Sequence, residues 1–503
     1  MKKTIIAVAT LAAASLAQAT DTTWTSQSWT PASTGQTSWE GSSADKLIFN
    51  GTSSSNKNGD EWTNAQLFIQ GTEGNSQKST ITGGTLEFIS QNPATNDANN
   101  APGVGYNAVV LGGNSSLTID VGTLLLGDSV IDQTDKKGGD RGIRLSGSNN
   151  TLTIYADRIV SYTGDEFIHV RQGNGSSVAN IGSADRRIGY FEAHTGWGKD
   201  DYGVALLQAN EGNKVFLYAD EAVLDGSTNS QGGVIGSGGW GEVHVDANKL
   251  TINGNICGSY GTMSNADKQL TLSVRAGTLD MTGDINVGNE AKGNSNFDRN
   301  TTVEIEADVL NLKGDIKVDN NKRTGSKAEG DNISAVNLTV NKTANIIGTI
   351  IASQTDGTST VTLGGAGDAT ASSGKYEVTG DGSSIVFKDS GSWVINEWKG
   401  TDGNLTASDS VRVMSTVQFK RLPPRSTAHL HSRLTTAQKF QARHSKARAA
   451  LSSLILLMNR SSTLVTTRIP MLKPFFLAAR TISMRQLTKQ SKLWKPLSAL
   501  IQS

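Results

Sequence analysis

The sequence predicts an all-β chain wound as a right-handed parallel β-helix, a solenoid of coils roughly thirty residues long. Three observations predict it. Helix patterns are almost absent from a body rich in Gly, Asn, Ser, Thr and Asp. Short β-branched runs alternate apolar and polar residues, the period of a strand with one buried face. A strand–turn–strand unit also recurs at a nearly fixed spacing, which marks a repeat architecture.

The repeat is clearest in four stretches, "LTINGNICG" (250–258), "LDMTGDINV" (279–287), "LNLKGDIKV" (310–318) and "ANIIGTIIA" (344–352). Their turn glycines, Gly254, Gly283, Gly314 and Gly348, recur at a nearly even interval that widens slightly along the chain. Gly226, Gly196 and Gly164 continue the ladder upstream, and Gly127 and Gly380 extend it at its ends. A second marker runs in step: "LTIYADRIV" (152–160), "VFLYADEAV" (215–223), "VHVDANKL" (243–250) and "VEIEADVL" (303–310). Each places apolar residues at i and i+2, then an Ala-Asp-like corner, then a second strand. Propeller blades are longer, about 40–50 residues, so short strands with three turns per period favour a β-helix. Inward Leu, Ile and Val are expected to form a column, with Thr, Asn, Lys and Asp outside. Gly and Asn supply the corner conformations. Stretches 131–142 and 289–300 read as projecting loops.

The ends differ from the body. "MKKTIIAVATLAAASLAQA" has basic Lys2 and Lys3, an apolar run and Ala17-Gln18-Ala19, the pattern of a Sec-type signal peptide cleaved after Ala19. Residues 20–110 then carry Trp24, Trp29, Trp39 and Phe49. A solenoid must cover its first coil, so these aromatics read as an N-terminal cap. The alternative is a carbohydrate-stacking platform. Residues 111–418 hold the repeats. No run of about 20 apolar residues follows the leader, so no transmembrane helix is expected. Cys257 is the only cysteine, which rules out an intramolecular disulfide.

The formal charge of zero hides a division. All 46 acidic residues and all 55 glycines precede residue 410, whereas 17 of the 46 basic residues and five of the eight prolines follow it. Acids and glycine vanish together while Arg, Ser, Leu and Pro rise, without periodicity. Residues 419–503 therefore read as a basic tail without a fold, the reading frame being lost within 410–425. The competing reading is a genuine cationic segment for nucleic acid, lipopolysaccharide or a membrane surface.

Leader, tryptophan-rich opening and disulfide-free Gly/Asn/Thr-rich coils together resemble the passenger domain of a bacterial autotransporter (type V secretion) of the adhesin-like kind, over roughly residues 1–418. The resemblance implies a monomeric adhesin or structural stalk that meets a host glycan or surface protein. It implies no nucleic-acid partner. In intact relatives it also implies a C-terminal outer-membrane β-barrel and display on the cell surface. The sequence departs from that pattern from residue 410 onward, where there is no barrel-like strand alternation. This chain is therefore expected to stop in the periplasm.

Catalytic and metal motifs are not found, and no cofactor is expected. His169, His194 and His244 fall in different coils without ligand spacing and read as isolated surface or corner residues. "KDSGSW" (388–393) echoes a serine-protease motif, but Lys388 replaces its glycine, so Ser390 and Ser392 are not read as nucleophiles. The enzyme alternative is a secreted β-helical polysaccharide lyase or hydrolase, which needs carboxylates clustered on one face. Asp157, Asp220 and Asp308 instead recur at equivalent corners, which suits turn capping. The expectation is a protein that is not an enzyme.

Overall fold

The computed structural model describes residues 19–31, 37–51, 65–89, 107–127, 141–163, 166–171, 175–195, 205–226, 233–236, 240–258, 269–288, 300–320, 333–354, 357–365, 370–371, 375–389, 391–407 and 412–415. The chain divides into units 1–432 and 433–503, and every described residue lies in the first. Both ends of the sequence reading, the leader up to Gln18 and the basic tail 419–503, lie outside the described residues.

The described residues form strands and no helix, in one 19-stranded and one 13-stranded sheet. Each strand pairs in parallel with its counterpart in the coils before and after it, so this is a parallel β-helix solenoid. The long sheet contains Lys214–Asp225, Glu242–Asn253, Gln269–Thr282, Asn300–Lys313 and Ile333–Ile347. The short sheet contains Gly233–Gly236, Asn255–Gly258, Ile285–Gly288, Ile316–Asn320 and Thr349–Gln354. The register passes from Val215 to Val243, Leu272, Val303 and Val336, so coils lengthen gradually through the middle of the body. It then passes to Val361, Ile385 and Leu405, and the coils shorten again.

The strands differ from the sequence reading in one respect. The two short strands expected on either side of the Ala-Asp corner are one continuous strand, as in Lys214–Asp225. Inward residues alternate up to Ala219 and resume at Ala222, so the period-2 pattern skips one residue there. A skipped phase turns the strand from one face of the coil onto the next. The pairing passes over the same position each time: Ala219 pairs Ala247 and Glu221 pairs Lys249, leaving Asp220 and Asn248 at the bend.

That bend makes a vertical column of Asp157, Gly189, Asp220, Asn248, Gly277, Asp308 and Asn341. No two carboxylates are adjacent in it. Asn248 Nδ2 donates to Asp220 Oδ1 at 3.0 Å, and Asn341 Nδ2 donates to Asp308 Oδ1 at 3.3 Å. The equivalent-corner placement of Asp157, Asp220 and Asp308 is thus found, with amides and glycines separating them.

The core is a set of such columns. Leu47, Leu86, Leu124, Ile159, Phe191, Ala222, Leu250, Leu279, Leu310 and Ala344 stack one per coil, all buried. Each larger member contributes about 1.5–3 kcal/mol of burial. At the first coil Trp24 packs edge-on against Trp29 and Phe49, and Phe49 stacks on Phe88 with ring centres 4.8 Å apart. Trp29, Trp39 and Phe49 are buried. Trp393 is buried in a late coil, with Trp398 packed against the same core.

The turn glycines stack as the spacing predicts. Gly283 has φ +141°, and a methyl added there would collide with the Gly254 carbonyl oxygen. Gly314 and Gly348 sit against Gly283 and Gly314 in the same way. Beside them runs a second ladder. Asn255 Oδ1 accepts the Asp284 N–H, Asp284 Oδ1 accepts the Asp315 N–H, and Asp315 Oδ1 accepts the Thr349 N–H, each at 2.8 Å. Lys317 Nζ, 2.9 Å from Asp284 and 3.4 Å from Asp315, offsets the charge of the two stacked carboxylates. Gly380 departs from the expected ladder. It follows the short-sheet strand Lys375–Thr379, so it belongs to the opposite corner of the coil. Gly164 and Gly196 lie outside the described residues, as do 131–140 and 289–299.

Candidate functional site

The outward side chains of the long sheet carry three arrangements that break the repeat. The first is a pair of arginine clamps. The long strand of one coil is split into Val178–Ile181 and Ile188–Thr195. Between them Ser183 and Arg186 close a tight turn, with Ser183 N–H donating to Arg186 O and Arg186 N–H to Ser183 Oγ. Arg186 reaches back two coils to grip Asp120 through both Nη atoms, at 2.8 and 2.6 Å, with its guanidinium over the Tyr155 ring. The Arg186 guanidinium holds the Asp120 carboxyl below its ordinary range. Arg187 reaches forward, donating to Ala219 O one coil on and to Asp246 O and Oδ1 two coils on. Two consecutive residues therefore bind five coils together.

The second arrangement centres on His194. Its ring stacks on Tyr162 of the preceding coil, centres 4.7 Å apart and 6° from parallel. Nε2 lies 2.7 Å from Glu192 Oε1, and Nδ1 lies 3.3 Å from Asp225 Oδ2 on the following coil. Both ring nitrogens face carboxylates, so the favoured form is the imidazolium. Asp225 is the main cause of its raised pKa, with Glu192 adding to it against burial. The Tyr190 hydroxyl donates to Glu192 Oε2 at 2.9 Å, and the Arg158 guanidinium lies over the Tyr190 ring. Burial and the Glu192 acceptor push the Tyr190 phenol up to about 12. Burial alone would raise the Glu192 carboxyl, but hydrogen bonds from His194 and Tyr190 outweigh it and hold the group low.

The histidines thus differ from the sequence reading. His194 is bound on both sides. His244 stacks on Phe216, centres 4.9 Å apart. His169 is buried on the short sheet, with Nδ1 3.0 Å from Glu166 Oε1 and Nε2 3.0 Å from Asn210 Nδ2. They lie on different strands, and among the described residues no group of three or more His, Cys, Asp or Glu can hold a metal ion. Ser392 is a strand residue paired with Thr370 and Arg412, and Ser390 lies outside the described residues.

The third arrangement is a groove of about 190 Å³ across four coils. One wall is the row Thr251, Asp280, Asn311 and Asn345; the other is Asn253, Thr282, Lys313 and Ile347. Met281 and Leu312, whose side chains belong to the core, close the floor. Asn311 Nδ2 donates to Asp280 Oδ1 at 2.7 Å. Ile347 is 61% exposed, where its counterparts in the three preceding coils are polar.

No family model, curated protein or solved structure matches this chain. Function therefore rests on the coil surface. The sequence reading assigned no site residues. The arginine clamps carried one visible cue, because Ala184-Asp185 imitates the corner motif out of phase with it.

Proposed function

We propose that the body of the chain is an exported adhesin or structural stalk of the autotransporter-passenger kind, surface-displayed in intact relatives, and not an enzyme. The observation that carries this reading is the division of labour within every coil. Inward positions of the long strands form apolar columns, with a buried Ser115, Asn150, Ser177 and Asn213 ladder at one turn, while outward positions carry polar ladders running from coil to coil. Stacked repeats of this type offer extended surfaces for binding rather than one enclosed cleft. The His194 cluster suits a binding or bracing role, since both imidazole nitrogens and both Glu192 oxygens are already engaged within it.

The test is adhesion. Beads coated with the purified chain are offered to epithelial monolayers, glycan-coated surfaces and bacterial cells. Retention on at least one surface, with no release of products from a polysaccharide panel, is the expected result. Failure to adhere to any of them, together with depolymerisation of an acidic polysaccharide, would establish the lyase or hydrolase instead.

A further inference from the structure

We infer that the groove between the Asp280 and Lys313 rows is a binding site for a neutral, extended β-1,4-linked oligosaccharide lying along the stacking direction. The inference rests on the adhesive reading and names the chemical class of its ligand.

Spacing comes first. Successive coils rise by about 4.8 Å, close to the length of one sugar unit in an extended chain. A chain laid along the groove therefore meets the same pair of wall positions once per unit. Four coils line the groove, so it spans several units.

The chemistry of the walls comes second. Sugar hydroxyls both donate and accept. Asn311 and Asn345 amides offer both roles, Asp280 offers a carboxylate acceptor, and the Lys313 ammonium is a donor. Lys313 makes no ion pair or side-chain hydrogen bond with a described residue. Asp280 Oδ1 already accepts from Asn311 Nδ2, which fixes the carboxylate on the wall, and a carboxylate has further lone pairs to accept from a ligand hydroxyl.

Ile347 supplies the third argument. An isoleucine 61% exposed at the end of an otherwise polar row leaves apolar surface in water. The C–H face of a pyranose ring covers such a surface while its hydroxyls reach the neighbouring amides. Charge then chooses among sugars. Residues 1–409 hold 46 acids against 29 basic residues. The field of the body repels uronic-acid or sulfated chains, and one lysine in the groove does not reverse it.

Binding of cellohexaose, xylohexaose, mannohexaose and chitohexaose to the full chain tests this by titration calorimetry, with hexagalacturonate as the acidic arm. At least one neutral hexamer should bind, and any binding of hexagalacturonate, for which the 17 basic residues of 410–503 are a separate site, should be indifferent to Asn311→Ala and Lys313→Ala. Asn311→Ala and Lys313→Ala should each weaken the binding hexamer about tenfold, the loss of one hydrogen bond to the ligand. Thr302→Ala, on a different outward row, should leave it unchanged. All three positions are outward, so unchanged melting temperatures verify folding. No binding by any neutral hexamer, binding of hexagalacturonate alone, or affinity indifferent to Asn311 and Lys313 overturns the assignment. The same variants go on the beads. Adhesion that persists without hexamer binding removes the groove assignment and leaves the adhesive reading standing; loss of all adhesion by the wild type removes both.

Discussion

Asp284 Oδ1 accepts the backbone N–H of Asp315, one coil later, at 2.8 Å. The bond gives the Asp315 N–H a side-chain acceptor at a turn, between the backbone bonds from Gly283 N–H to Lys313 O and from Ile285 N–H to Asp315 O. Asn255 does the same for Asp284, so the geometry needs an Asx side chain rather than a charge. Asp284→Ala should therefore destabilise the body by about 1–2 kcal/mol, whereas Asp284→Asn should stay within about 0.5 kcal/mol of wild type. Urea midpoints compare the two directly; equal losses would show that the carboxylate charge and its Lys317 partner matter more than the hydrogen bond.

The glycine column is less forgiving. Gly283→Ala places a methyl against the Gly254 carbonyl at a positive φ. Backbone strain and overpacking each contribute about 1–3 kcal/mol. The variant should melt well below wild type, and hydrogen exchange should show protection lost first in the coils around 254 and 283. Uniform loss of protection along the whole body would contradict this nearest-neighbour picture.

The two arginine clamps should differ in weight. Arg186 is about half exposed and Arg187 is mostly buried, with side-chain exposures of 54% and 19%. Arg186→Ala is then a surface ion-pair deletion of no more than about 1 kcal/mol. Arg187→Ala leaves Ala219 and Asp246 carbonyls without their charged donor and should cost about 1.5–3 kcal/mol. Arg187→Lys should not rescue it, because an ammonium cannot reproduce the fork. Denaturant melts of the three variants give the ranking, and a reversed order of the two alanine variants would sink it.

His194 should make stability depend on pH. Its pKa is raised in the folded state, chiefly by Asp225. The contribution is therefore fully present below the unfolded value, about 6.5, and is lost as pH rises through the folded value. Tyr162, Glu192 and Asp225 contact the ring, with Tyr190 bonded to Glu192 and Arg158 over the Tyr190 ring, and of these only the two carboxylates favour its charge. The melting-temperature gap between wild type and His194→Gln should be widest near pH 5.5 and should narrow by pH 9. A gap that is flat or widens with pH would show that the neutral ring is the native form.

The solenoid was legible because its rules are local. Apolar residues at i and i+2, an Ala-Asp corner and a turn glycine all fall within a single strand–turn–strand unit, and they located Gly254, Gly283, Gly314 and Gly348 correctly. Gly380 was misplaced because every corner of a coil can use glycine, and only the neighbouring coil tells them apart. The side-chain sites were not legible for a related reason. Tyr162 and His194 meet from adjacent coils, and Arg186 and Asp120 meet across an intervening one. Coil lengths vary enough that such partners cannot be found by counting. The Asp280–Asn311–Asn345 row follows the same register, but its residues are ordinary for an outward strand face, and only the exposed Ile347 of the facing row sets the groove apart.

The corner column also constrains which coil can follow which. Asp157, Asp220 and Asp308 are separated by Gly189, or by Asn248 and Gly277. An assembly that skipped the coil of Gly189 would lay Asp220 directly on Asp157. One that skipped the coils of Asn248 and Gly277 would lay Asp308 on Asp220. Each error sets two carboxylates about 4.8 Å apart, a repulsion of about 1 kcal/mol even in water, and the second also forfeits the bond from Asn248 to Asp220. The spacers therefore act as proofreading marks. In a chain whose coils are alike enough to substitute for one another, they make the native order of assembly distinguishable from its nearest miswindings.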